Sequence, residues 1–346
     1  MKFKGLTALA AAMAVTVAAG FAGDVAARTL KVQTSSNASH FSLAYLNEVW
    51  IPKLKQMTGG EVEIEFLPIE AVVPRRETPE AVGIGILDGQ YTAVAYFSGT
   101  DPGFALMGDL IAGYDRADQI QYLCSAGGGK EMLQKLYDAY FEGLHVVGCT
   151  AYSREAFVSK VPINGVADLA GLKIRSPEGL ASDVFKRAGA APVALPTSET
   201  YGALEKGVID AADNSSYTNN DANGMHKVAK FPIFPGIHSM PILDFTLNAD
   251  VWEEIGPENQ AILEVWWEAA MNGLRMRTEV VDQQLVARDK AGGDITVIDW
   301  PLDERAKLRE IAVEAWQDFA ASSELGQEAF DTHMNFMRES GLLKEE

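Results

Sequence analysis

Asp168-Leu169-Ala170-Gly171-Leu172-Lys173-Ile174-Arg175-Ser176-Pro177 reads as a turn, a short strand and a stop. Leu172 and Ile174 alternate with Lys173 and Arg175, so the apolar pair shares one strand face and the cations the other. Pro177 ends the strand and leaves Arg175 at its carboxyl end. In an α/β sheet that edge is where ligands sit, and a guanidinium there can grip a carboxylate through two parallel hydrogen bonds. The plainer alternative is a surface arginine paired with some Asp or Glu.

Outward from this stretch, short β-branched runs alternate with helical patterns along most of the chain. The expected strands are Thr29–Thr34, Val62–Leu67, Tyr91–Phe97, Leu144–Cys149, Leu172–Arg175, Val208–Ala212, Asp244–Asn248 and Asp294–Ile298. Between them lie helical patterns at Leu43–Met57, Arg76–Leu87, Lys130–Phe141, Gly179–Arg187 and Ser198–Glu205. Strand, helix, strand repetition implies an α/β protein whose sheets are largely parallel. A long helix is expected from Pro257 to about Lys290, with Ile262, Val265, Trp266, Ala269 and Ala270 on one apolar face. Trp266 therefore reads as core. A further helical region follows Pro301.

Two interruptions suggest two lobes. Thr150–Val161 breaks the alternation, and Phe231–Pro241 holds Pro232, Pro235 and Pro241, too many prolines for regular helix. Both suit segments that cross between lobes.

At the amino terminus, Lys2 and Lys4 lead into the apolar run Leu6 to Ala22, with small residues at Val25, Ala26 and Ala27. That layout is expected to be a secretory signal peptide over residues 1–27, which places the rest of the chain outside the cytoplasm and in no membrane. The 346 residues carry a formal net charge of −19, which disfavours nucleic acid and anionic membrane surfaces as partners. An anionic ligand would need local positive charge against that background. Cys124 and Cys149 can pair in an oxidising compartment or remain two buried thiols; spacing leaves both readings open.

Catalytic motifs fail one by one. Gly127-Gly128-Gly129-Lys130 lacks the first glycine and the hydroxyl residue of a phosphate loop. Gly83-Ile84-Gly85 has Asp88 where a dinucleotide fingerprint needs glycine. There is no Gly-x-Ser-x-Gly elbow and no His-Glu-x-x-His pair. The five histidines show no metal-ligand spacing. No cofactor, metal or catalytic residue is expected.

Two further stretches carry signal. One is Arg154-Glu155-Ala156-Phe157-Val158-Ser159-Lys160-Val161-Pro162. The other is Gly207-Val208-Ile209-Asp210-Ala211-Ala212-Asp213-Asn214, where Val208 and Ile209 are expected to form a short buried strand with Asp213 and Asn214 at its exit. An acid and an amide there can orient hydroxyl, oxo or amine groups, or simply cap the next helix.

Together with Asn248-x-Asp250-Val251-Trp252, these stretches resemble the DctP-type solute-binding proteins of TRAP transporters, over essentially the whole mature chain. Leu67-Pro68 followed by Ala71-Val72-Val73 looks like the branch that binds 2-oxo acids and related small carboxylates. The resemblance implies a two-lobed periplasmic protein, each lobe a mostly parallel sheet flanked by helices, with a long helix connecting them. It implies lobe I from 28–151 plus about 241–281, and lobe II from 152–240 plus about 282–346. It also implies closure on a small organic acid, delivered to the membrane subunits of a TRAP permease. Arg175 is then the carboxylate clamp, Arg154 a second contact, and Asn214 a cleft residue. Tyr96 and Phe97 would line the apolar part of the site. Some relatives hold a metal with a Glu-aromatic pair where this chain has Asp213-Asn214, and with a further acid or amide at Ser239. The shorter side chains here weaken such a cation site. A secreted lyase or hydrolase, with Asp213 as its base, and a binding protein of an ABC importer are the alternatives. The long helix would also permit a dimer.

Overall fold

The computed structural model describes residues 27–151, 153–237 and 239–343; the expected signal peptide lies outside them except for Ala27. Among the described residues nine strands form two sheets. They are β1 (Arg28–Thr34), β2 (Val62–Leu67), β3 (Gly89–Ala93), β4 (Leu144–Thr150), β5 (Val158–Ser159), β6 (Lys173–Ser176), β7 (Ala191–Ala194), β8 (Ala211–Ala212) and β9 (Leu243–Asn248). The first sheet has the order β2-β1-β3-β9-β4 and the second β5-β8-β6-β7.

Each sheet is parallel but for one strand. β1 pairs in parallel with β2 and β3, whereas β9 runs against both β3 and β4. β6 pairs in parallel with β7 and β8, whereas β5 runs against β8. The two reversed strands are the first to follow each inter-sheet segment. A chain arriving from the other lobe enters its new sheet head-on, without the helical crossover that would turn it parallel.

Apolar alternation on β1, β3 and β9 buries Val32, Tyr91, Phe245 and Leu247 with Trp266 and Trp267 of the long helix Gly256–Gly292. The opposite face meets helices Pro102–Gly108 and Gly129–Tyr140 through Phe104, Leu133 and Leu136. In the second sheet Ile174 packs with helix Leu180–Arg187 on one side, while Ala212 and Ile209 pack with helix Thr200–Glu205 on the other. The long helix touches both sheets' domains: Trp266 Nε1 donates to the Trp50 carbonyl at 2.8 Å, and Tyr217 OH donates to Asp289 at 2.7 Å. Cys124 and Cys149 form a disulfide that ties helix Ala117–Ala126 to β4.

Several expected elements are shorter than the sequence suggests. The strand expected over Tyr91–Phe97 ends at Ala93 and turns into a 3-10 helix, Val94–Phe97. Val208 is 51% exposed and outside the sheet, so only Ala211–Ala212 of Val208–Ala212 pair. Asp294–Ile298 contributes a single bridge between Ile298 and Ile233. β7 escapes recognition because Ala191-Pro192-Val193-Ala194 lacks a β-branched run; its proline is tolerated because the strand is at an edge. The tail beyond Pro301 forms two helices, Leu302–Ala320 and Glu324–Glu339. The second packs against Pro102–Gly108 and Gly129–Tyr140, on the first sheet's side, and against Leu302–Ala320. Among the described residues no helix is long and apolar enough to cross a membrane.

Candidate functional site: an arginine-anchored cavity between the sheets

The carboxyl ends of β6, β7 and β8 build a cradle for one guanidinium. Parallel register sets Arg175 opposite Ala212 and Val193. The next carbonyls along β8 and β7 therefore come within reach. Nη1 donates to the Asp213 carbonyl at 2.6 Å and Nε to the Leu195 carbonyl at 3.1 Å. Arg175 is only 2% exposed, and among the described residues no carboxylate forms an ion pair with it. Two neutral acceptors fix its direction and leave it outside any ion pair, although the Glu155 carboxyl feels its charge.

Arg175 lines a cavity of about 230 Å³ whose walls come from both sheets and both crossing segments. Asn214, Tyr96 and Ser239 also line it, as the sequence suggests. Asn214 donates through Nδ2 to Asn220 Oδ1 at 2.6 Å, while its own Oδ1 is buried without a donor. Tyr96 lies under the Arg75 guanidinium, 4.1 Å from the ring centre. Ser239 Oγ donates to Asp109. Next to Asn214, Ser215 adopts φ of +35°, in the left-handed region that a non-glycine residue occupies only at a cost of about 1–3 kcal/mol. Its carbonyl accepts from Ala156 N at 2.8 Å, which fastens this turn to the first crossing segment.

Three expected site residues lie elsewhere. Phe97 is rotated by the 3-10 turn into an aromatic cluster with Phe104 and Tyr137, at 5.9 and 6.2 Å, and lines no part of the cavity. Arg154 faces the opposite side of its segment, with Arg305 and Arg309, and its Nη1 reaches the Gly236 carbonyl at 3.5 Å. The segment is extended there, so neighbours alternate and Glu155 takes the cavity side. Asp213 offers its carbonyl to Arg175, while its carboxyl meets Glu155 behind the cavity wall. Burial, then the charge of Asp213, holds the Glu155 carboxyl well above the usual carboxylate range.

The sequence reading missed Glu155, Asp109 and His40, all of which line the cavity. Glu155 stands in the quoted stretch, beside the arginine chosen instead. His40 lies on the loop after β1 and crosses to the other lobe: its Nε2 is 2.9 Å from Asn219 Nδ2. Burial pushes its pKa down to about 4, so the ring is neutral. At the cavity mouth Arg76 and Glu178 join the lobes in an exposed ion pair.

Among the described residues, the one group close enough to share a metal ion is Asp221, His226 and Asp289, away from the cavity. Arg288 already spans both of its carboxylates, at 2.6 Å each.

Residues 33–323 match the profile of DctP, the bacterial extracellular solute-binding protein family 7. A TRAP periplasmic solute-binding protein of Rhodobacter sphaeroides, solved in an apo open form, is 39% identical with a TM-score of 0.76, covering 92% of this chain and all of that one. A monocarboxylate 2-oxoacid-binding periplasmic protein of Nostoc sp. is 29% identical over 70% of this chain and 66% of its own length. The 2,3-diketo-L-gulonate-binding periplasmic protein of Escherichia coli is 26% identical over 84% of this chain and 86% of its own.

Proposed function

Because the chain belongs to DctP, family 7 of the bacterial extracellular solute-binding proteins, we propose that it captures a small organic acid between its lobes with Arg175 as the carboxylate clamp. It is a TRAP-type binding protein and not an enzyme. The observation that carries the clamp is the state of Arg175: buried, aimed by two carbonyls, and in no ion pair among the described residues. A carboxylate reaching it completes a charge-assisted pair in a cleft from which water is expelled, where the attraction is stronger than in bulk. Asn214 and Tyr96 supply a polar contact and a wall. The relatives that bind 2-oxo and diketo acids support the ligand class.

In this reading the leader over 1–27 sends the protein to the periplasm, and the loaded form docks on a TRAP permease. Lobe I comprises 28–151, about 241–281 and the helix Glu324–Glu339; lobe II comprises 152–240 and most of the remainder. Both hinge at the crossing segments. A thermal-shift screen of organic acids identifies ligands, since binding to the folded form alone raises the melting point. Calorimetry on Arg175→Ala then tests the clamp: a loss of about 2–5 kcal/mol is expected. Affinity within threefold of the parent overturns the assignment.

A further inference from the structure

The cavity holds more hydrogen-bond acceptors and negative charge than a plain carboxylate can use. Arg175 is one cation. Around the same space stand Glu155, Asp109 and the bare Oδ1 of Asn214. Asp109 is occupied by Ser239 Oγ and by Met240 N at 3.3 Å. Glu155 is backed by the carboxyl of Asp213.

The Asn214 amide cannot turn to relieve its oxygen. Its Nδ2 is spent on Asn220 Oδ1, and Asn220 Nδ2 in turn donates to the carbonyls of Ala156 and Asn214 at 3.0 and 2.7 Å. A flip would set two oxygens against each other. A buried acceptor of this kind costs about 1–3 kcal/mol until a donor arrives. Arg154, the residue that would have welcomed a second anionic group, is on the other side of its segment. The chemistry missing from the cavity is therefore a donor with positive charge. An ammonium supplies both the donor and the charge, whereas a metal ion supplies the charge alone and leaves the amide oxygen without a hydrogen.

We propose that the cargo is a zwitterion, a small acid that also bears a protonated amine, with its carboxylate on Arg175 and its ammonium on Glu155 and Asn214 Oδ1. This rests on the Arg175 assignment above and adds the second pole. Glu155 and Asp213 are hydrogen-bonded carboxyls and so share a proton; the ammonium replaces it, and that proton passes to the buffer. No other bond changes.

The test is calorimetry on the intact protein with matched sets of 2-, 3- and 4-amino acids, their hydroxy and oxo counterparts, and proline, each with and without calcium. Repeating the best ligand in buffers of different ionisation enthalpy counts protons. The amine member is expected to bind at least tenfold tighter than its counterparts, without calcium, and to release about one proton. Glu155→Gln is expected to bring the amine and oxo members within threefold of each other. Should that variant fail to fold, the proton count on the parent protein still decides. A panel in which an oxo or hydroxy acid equals its amine, or in which the amine binds only with calcium, overturns the zwitterion and leaves the clamp standing. A panel in which no carboxylate binds at all overturns both.

Discussion

Arg154 and Glu155 are adjacent, oppositely charged, and point to opposite sides of one extended segment, so the charge delivered to the cavity is the acid. A residue's contribution here depends on facing and not on proximity in the chain. Burial, then the neighbouring Arg305, holds the Arg154 guanidinium below its usual range on the far side of the segment from the cavity. Replacing Arg154 with Ala is accordingly expected to leave affinity for mono- and diacids within about twofold, measured by calorimetry. A loss of tenfold or more for diacids would return it to the site. Arg175 was legible because alternation and Pro177 mark the end of its strand, and Asn214 because it stands at a strand exit, whereas Tyr96 was implied only by the family resemblance. Glu155 and Asp109 were not, because neither sits in a periodic element. Which way an irregular segment faces is set by partners distant in sequence, here Ser239 and Ser215 for the Glu155–Ala156 backbone.

At the scale of elements the crossing segments matter most. They run so close that a Cβ on Gly236 would stand 1.6 Å from the Glu155 carbonyl oxygen. The oxygen is backbone and the Cβ is fixed by the Gly236 backbone, so neither can move aside cheaply. Gly236→Ala is expected to lower stability by several kcal/mol in denaturant titration. In whatever fraction stays folded it should weaken ligand binding, since Glu155 is displaced. An unchanged midpoint would mean the segments are looser than this packing. The alternation of strands and helices, and the extent of the long helix, could be read from spacing, but its buried face could not: Val265 and Ala269, expected on the apolar face, are exposed, and Leu263, Trp267 and Met271 are buried beside Trp266 and Ala270. Strand lengths could not: Val208 looks like a strand residue by type, yet it lies before the pairing begins and is in water. The placement of helix Glu324–Glu339 on the first sheet's side could not be read either. Its apolar stripe says that it packs and does not say on what.

The whole molecule is held across its cleft by small polar contacts. His40 from one lobe meets Asn219 of the other, and Phe41 N donates to Asn219 Oδ1 at 2.9 Å. Burial at this contact lowers the His40 pKa to about 4, against 6.5 in water. A neutral ring in the closed form and an ionisable one in the open form give a definite sign. The contribution to closure is complete above about pH 6.5 and is lost as pH falls toward 4. Ligand affinity is expected to drop several-fold more between pH 7 and pH 5 in the parent than in His40→Gln. Parallel pH profiles for the two proteins would show that the ring does not sense closure.

The Arg76–Glu178 pair at the mouth has a quieter consequence. Each side chain is 58% exposed, and such a pair is worth about 0–1 kcal/mol, less in salt. A clasp that weak cannot keep the jaws together by itself. Tenure in the shut shape is then set by the passenger, so that full and empty differ in the outline of the molecule itself.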